Sequence, residues 1–222
     1  MRIAGRWLLL CALLPITMVA CAGDKTMNQQ LLRAATQGDA AAVSRFIAQG
    51  ADVQAQDALG RSALLLAAHG NHVDVARQLV KAGADVNAKD QINDSAYLYA
   101  GARGHVEILQ TLLANGADIR STNRYGGTAL IPAAERGHVQ AVQMLIDAGV
   151  DVDHVNRLGW TALLEAVILG DGGVAHQRIV QLLVDAGADV ALADEQGVTA
   201  LQHARQRGQH EVEQILLRAG AR

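Results

Sequence analysis

The sequence predicts an all-α solenoid of about six helix-turn-helix units whose tips are short β-turns or hairpins, and three observations predict it. Glycines at Gly50, Gly83, Gly116, Gly149, Gly187 and Gly220 each close an apolar stretch, with four gaps of 33 residues and one of 38. A second column of Gly or Asn, at Gly38, Asn71, Gly104, Gly137, Gly170 and Gly208, divides every unit in two. Between the columns apolar residues fall at i, i+3 and i+4, the stripe of a helix that has to bury one face. A repeat of this length marks units too thin to fold alone, which become stable when stacked on neighbours. Composition agrees: half of the residues are hydrophobic but only 3% are aromatic, as short, closely approaching helices require.

The first twenty residues obey other rules. Arg2 and Arg6 precede an uncharged run from Trp7 to Ala20, which has the form of an export signal and is short for a membrane span. Met18-Val19-Ala20-Cys21 resembles a bacterial lipobox. That resemblance implies a lipoprotein signal peptide over 1–20, lipidation of Cys21 as the mature N-terminus, and a short tether over 21–27. Cleavage near Ala20 or Ala22 without lipid, and an uncleaved anchor, are the alternatives. Processing at Cys21 discards Cys11, so no internal disulfide can form. Ala22, in place of an Asp after the Cys, implies sorting to the outer membrane with the protein facing the periplasm; a soluble periplasmic location is the alternative.

The repeat domain occupies 28–222, with units starting near Asp24, Asp57, Asp90, Asn123, Asn156 and Asp194. In unit one Leu31, Leu32, Ala34, Ala35 and Val43 bury one side while Gln29, Arg33 and Arg45 face water, as a terminal unit needs. In unit two Ser62 is the N-cap of an inner helix carrying Leu64, Ala67 and Ala68, and an outer helix follows through Val75, Ala76, Leu79 and Val80 to Gly83. Unit three repeats the outer stripe as Ile108, Leu109, Leu112 and Leu113, and places Tyr97 at a buried Leu position. Unit four carries Pro132 inside its inner helix, which removes a donor, crowds the Thr128 carbonyl and predicts a distorted helix start. Unit five holds five extra residues, Asp171-Gly172-Gly173-Val174-Ala175, read as an inserted loop. Unit six supplies polar cover through His203, Arg205, Gln206, Glu211 and Glu213.

Gly60-Arg61-Ser62-Ala63-Leu64, Gly70-Asn71-His72-Val73 and Ala82-Gly83-Ala84-Asp85-Val86-Asn87 resemble ankyrin repeats closely, and the match extends over about Asp24 to Arg222. The family's Thr-Pro-Leu-His signature is altered, for example to Ser62-Ala63-Leu64-Leu65 and Thr161-Ala162-Leu163-Leu164, and its His is absent throughout. The resemblance implies that partner proteins contact the turn tips and the exposed side of the inner helices, which form a concave groove. On this chain the inner-helix contribution includes His69, Ala102, Arg103, Glu135, Arg136, Ile168 and Leu169. Tyr125 and Trp160 sit on adjacent tips beside Arg124, Arg157 and Leu158, in a chain with six aromatic residues. Trp, Tyr and Arg dominate interface energetics, so the protein-binding site is centred on these five residues together with Asp171, Gly172 and Gly173 of the insertion. Trp160 folding back onto the stack, and the insertion being a tolerated loop, are the structural alternatives.

Other chemistries find no support. Removing Arg2 and Arg6 from the 19 basic residues leaves 17 against 22 acidic ones, without a basic cluster, which argues against nucleic acid. No phosphate loop, paired Cys-x-x-Cys or Gly-x-Ser-x-Gly is present, so no cofactor and no small-molecule substrate is expected. His72, His105, His138 and His176 recur just after the turn residue. One ion could not bridge positions a helix diameter apart, so they read as one helix-start hydrogen bond per unit and not as a metal site. Glu135, Glu165 and Asp171 show no pairing that would mark an acid–base catalyst.

The expected function is therefore that of a non-enzymatic, periplasm-facing, membrane-anchored scaffold that binds a specific protein. Gly159 to Glu165 and Gly170 to Gly173 resemble exported bacterial ankyrin-repeat lipoproteins, which implies an accessory or immunity role, toxin immunity or catalase-linked protection from oxidative stress among them. A structural envelope component that self-associates is the alternative, and an enzyme the remaining one.

Overall fold

The computed structural model describes the backbone of residues 17–222 and the side chains from Lys25 onward. Twelve helices in the described residues alternate as inner and outer members of six hairpins. They are α1 (Thr17–Gln37), α2 (Ala40–Ala48), α3 (Ala63–His69), α4 (Val73–Lys81), α5 (Ala96–Arg103), α6 (Val106–Ala114), α7 (Leu130–Glu135), α8 (Val139–Asp147), α9 (Ala162–Ile168), α10 (Val174–Asp185), α11 (Ala200–Gln206) and α12 (His210–Arg218). Residues 1–16 of the expected leader, and the Cys21 side chain, lie outside the described residues. The 21–27 stretch continues α1 without a break.

The odd-numbered helices pack in one row and the even-numbered in a second, each unit touching its sequence neighbours. Alanine makes the inner row close: Ala67, Ala100, Ala133 and Ala166 are at most 1% exposed. A tight approach is at Gly101, where a Cβ would stand 2.8 Å from Cβ of Ala129. Gly101→Val should therefore destabilise the protein by about 1–3 kcal/mol through overpacking, read as a lower urea midpoint at unchanged m. Tyr97 fills the position taken by Leu64 and Leu130 in neighbouring units and is fully buried. Its O–H has no partner among the described residues, and burial raises its pKa.

Local signals act as the sequence predicts. Ser62, Ser95 and Thr161 each accept a hydrogen bond from the backbone N–H three residues on, and Thr199 with Gln202 forms a reciprocal capping box. Thr128 is the exception. Pro132 has no N–H for the Thr128 carbonyl, α7 starts only at Leu130, and the buried Thr128 hydroxyl has no partner among the described residues. The distorted start expected there is present. At the ends of the outer helices Gly83 and its equivalents adopt φ near +88°, a conformation that costs glycine nothing and other residues strain.

Two readings are corrected. The second Gly or Asn column marks helix ends expected to be left-handed, but in unit five the left-handed residue is Gly172, φ +68°, and not Gly170. Only 169–173 are non-helical, because Val174 and Ala175 form the first turn of a lengthened α10. The extra residues are thus divided between a loop, Asp171 to Gly173, and the first turn of α10. The recurring histidines, secondly, do not cap their own helices: His72, His105 and His138 make no cap hydrogen bond. His72 Nε2 lies 3.1 Å from the Thr36 carbonyl, His105 Nδ1 3.0 Å from that of Ala68, and His176 Nε2 2.9 Å from that of Glu135. In unit six Gln209 does the same work, donating to Val167 at 3.1 Å. These side chains satisfy open carbonyls at inner-helix C-termini and tie units together.

Candidate functional site

One side chain shapes each tip. The Oδ1 of Asp57, Asp90, Asn123, Asn156 or Asp194 accepts the backbone N–H groups two and four residues ahead, closing an Asx turn. The residue at the first of those donors projects from the turn. It is Leu59, Ile92, Tyr125 and Leu158 in units two to five, exposed by 54%, 50%, 54% and 51%, and Gln196 in unit six. Four equivalent tips thus carry a row of apolar side chains. Neighbouring tips are tied together, with Gln91 N–H donating to the Leu59 carbonyl at 3.1 Å and Arg157 N–H to that of Tyr125 at 2.9 Å.

Behind the row, between the tips and the inner helices of units three to five, runs a groove of about 470 Å³. Its walls carry Tyr99, against which His69 packs at a tilt with ring centroids 4.2 Å apart, and Arg103, whose guanidinium lies 5.5 Å from the Tyr99 ring centre. Arg124 stands over Tyr125 at 4.8 Å, and Arg136 donates to the Ala102 carbonyl at 2.8 Å. Burial holds the His69 pKa below its usual value.

Glu135 and Glu165 come from the facing helices α7 and α9 and line the same groove. Glu165 is only 6% exposed. Its Oε1 accepts from Asn156 Nδ2 at 2.8 Å, and no cation lies within ion-pair distance among the described residues. Burial and, secondarily, the charge of Glu135 push its pKa to about 7, against weaker help from Asn156 and Arg136. The two acids, which nothing in the sequence brought together, thus share one groove, and the charge of Glu135 acts on Glu165.

The groove collects three of the expected site residues, Arg124, Tyr125 and Leu158. Trp160 is half-buried and packed against the core, outside the groove lining, which is the alternative reading of its position. Arg157 clamps the tips, donating from Nη1 to the Arg124 carbonyl at 2.8 Å. Asp171, Gly172 and Gly173 also lie outside the groove. Asp171 accepts from Gly173 N–H at 2.8 Å and from His176 Nδ1 at 2.7 Å, bonds that lower its pKa, the Gly173 contact most. A Cβ on Gly172 would meet Gln209 at 2.7 Å.

A family model described as ankyrin repeats (3 copies) matches residues 31–123, 98–194 and 133–222. The chain belongs to the ankyrin-repeat family. The ankyrin repeat domain from Acinetobacter baumannii AYE is 56% identical, with a TM-score of 0.84, over 86% of this chain and 98% of that one. The ankyrin repeat protein EF0377 is 43% identical, with a TM-score of 0.81, over 85% and 96%. A putative ankyrin repeat protein of Rickettsia felis is 43% identical over 49 residues, 22% of this chain and 78% of the relative. Ankyrin repeats in general mediate protein–protein interaction, and their fold is typically a scaffold without catalytic function.

The ankyrin groove holds two residues whose roles were not legible in the sequence, Tyr99 and the buried acid Glu165. A signal for Glu165 exists within the chain. In unit two the tip Asp57 pairs with Arg61, in unit six the tip Asp194 pairs with His203 at 2.7 Å, and in unit five, where the residue corresponding to His203 is Glu165, the tip is Asn156. In unit five the Asn156 carboxamide can donate to Glu165, which a tip carboxylate could not.

Proposed function

We propose that the chain is a periplasm-facing, lipid-anchored ankyrin scaffold that binds one specific protein through the groove of units three to five. The observation that carries this reading is the row of half-exposed apolar side chains on four successive tips, standing beside a groove with aromatic and Arg walls. Single exposed apolar residues are ordinary, but an aligned set bordered by polar groups is what a partner surface needs. Anchoring through Cys21 rests on the lipobox-like sequence and would hold this surface at the membrane.

Crosslinking in the native envelope followed by recovery of the protein tests the reading. A defined partner should be recovered with the wild type and with Glu211→Gln, on the exposed outer face of α12. Recovery should fall about tenfold with Tyr125→Ala, the effect of losing an interface anchor worth more than 1 kcal/mol. Equal recovery with Tyr125→Ala and Leu158→Ala would sink the placement. Cys21→Ala should move the protein from the membrane fraction to the soluble one; a variant that stays membrane-bound would rule out the lipid anchor.

A further inference from the structure

Within the groove, Glu165 is the charged group whose situation is unresolved. It is 94% withdrawn from solvent by its 6% exposure, yet it forms part of the groove lining. Asn156 occupies one carboxylate oxygen. The other has no donor among the described residues and is not sealed from solvent. Glu135 faces the same space from α7. The basic groups of the groove are differently placed: Arg103 and Arg124 lie over aromatic rings and Arg136 is bonded to a carbonyl, all toward the solvent-exposed side. An exposed guanidinium gains little from an added ion pair because water already screens it. A carboxylate already desolvated by the fold gains far more, since its desolvation has been met before the partner arrives.

Resting on the protein-binding reading above, we propose that the groove is a cation clamp: the partner inserts a Lys or Arg side chain between Glu135 and Glu165 while apolar residues of the same segment lie on Ile92, Tyr125 and Leu158. The partner is thereby a basic, amphipathic segment. Asn156 acts as the positioning residue, fixing one oxygen so that the other is presented to the ligand, and unit four to five spacing sets which residue of the segment carries the charge. The apolar row supplies area, and the buried acid supplies selection against segments that lack a cation.

A random dodecapeptide phage library selected at pH 8 on the purified protein tests this. Selected peptides should share a Lys or Arg at a fixed distance from apolar residues. Each should bind Tyr125→Ala and Glu165→Gln at least tenfold more weakly than wild type, but Glu211→Gln equally. Binding to wild type should also weaken from pH 8 to pH 5.5 relative to Glu165→Gln. Glu135 on α7 and Arg136 just after it, His69 on α3, Asp90 and Asp94 of the unit-three tip, His176 with Asp171 at the start of α10 and the Asp194–His203 pair beside α9 are common to both proteins, so the difference between the two profiles belongs to Glu165. Binders that need Tyr125 but carry no basic residue, or bind Glu165→Gln equally, would overturn the clamp while leaving the groove as a protein site. Binders rich in Asp or Glu that are lost with Arg124→Ala would assign the groove to acidic segments and overturn it too. Absence of any Tyr125-dependent binder would overturn both readings.

Discussion

A chain ending before Asp194 should lose several kcal/mol of stability and aggregate. The missing unit contributes α11 and α12, which cover α9 and α10. Those two helices bury Val167, Ile179, Val180 and Leu183 completely, and each fully buried aliphatic side chain is worth about 1.5–3 kcal/mol. Uncovering even two of them removes an amount comparable to a good part of the 5–15 kcal/mol on which a domain rests. Two further losses accompany this. The Val167 and Gly170 carbonyls lose the Gln209 side chain that satisfies them, and the new end lacks the polar face of the native one. Urea unfolding should show a lower midpoint and a smaller m-value, and gel filtration should show oligomers. A monomer with the parent midpoint would mean that unit six is not a cap.

The fold was legible because every requirement of a stacked hairpin recurs in the sequence at one period. Left-handed glycines, Ser or Thr caps and the apolar stripe have local causes that need no knowledge of neighbours. Pro132 shows how far this reaches, since the missing N–H alone foretells a late start for α7. What was not legible depends on contacts across units. Gly170 and Gly172 are equally permissive glycines, and the sequence alone does not show that Gly172, which lies against Gln209 of the next unit, is the left-handed one. The histidines look like caps in sequence because their partners are carbonyls 36 to 41 residues away. Trp160 and Tyr125 have the same promise as anchors, but only the packing tells which ring faces the groove. Glu165 reads as a surface carboxylate until α7 and the Asn156 tip enclose it.

Replacing Glu165 by Gln should stabilise the protein by an amount that grows with pH. The native state holds the Glu165 proton up to about pH 7, whereas the unfolded chain gives it up near the ordinary 4.5. Between these values the folded state binds more protons than the unfolded one, so wild-type stability falls as pH rises through the window and levels off above it. The full effect of such a shift is on the order of 3 kcal/mol. Gln keeps an acceptor for Asn156 Nδ2, fills the same volume and carries no charge to desolvate. The variant should therefore match wild type near pH 4 and exceed it by about 3 kcal/mol at pH 8, measured as paired urea midpoints across the range. Glu135→Gln should recover a smaller part, because repulsion from that carboxylate is second to burial in raising the pKa. A gap between wild type and Glu165→Gln that stays constant from pH 4 to pH 8 would show Glu165 to be solvated. Growth of the gap would show that burial of the Glu165 carboxylate is an electrostatic strain at neutral pH, of the kind a neighbouring cation relieves.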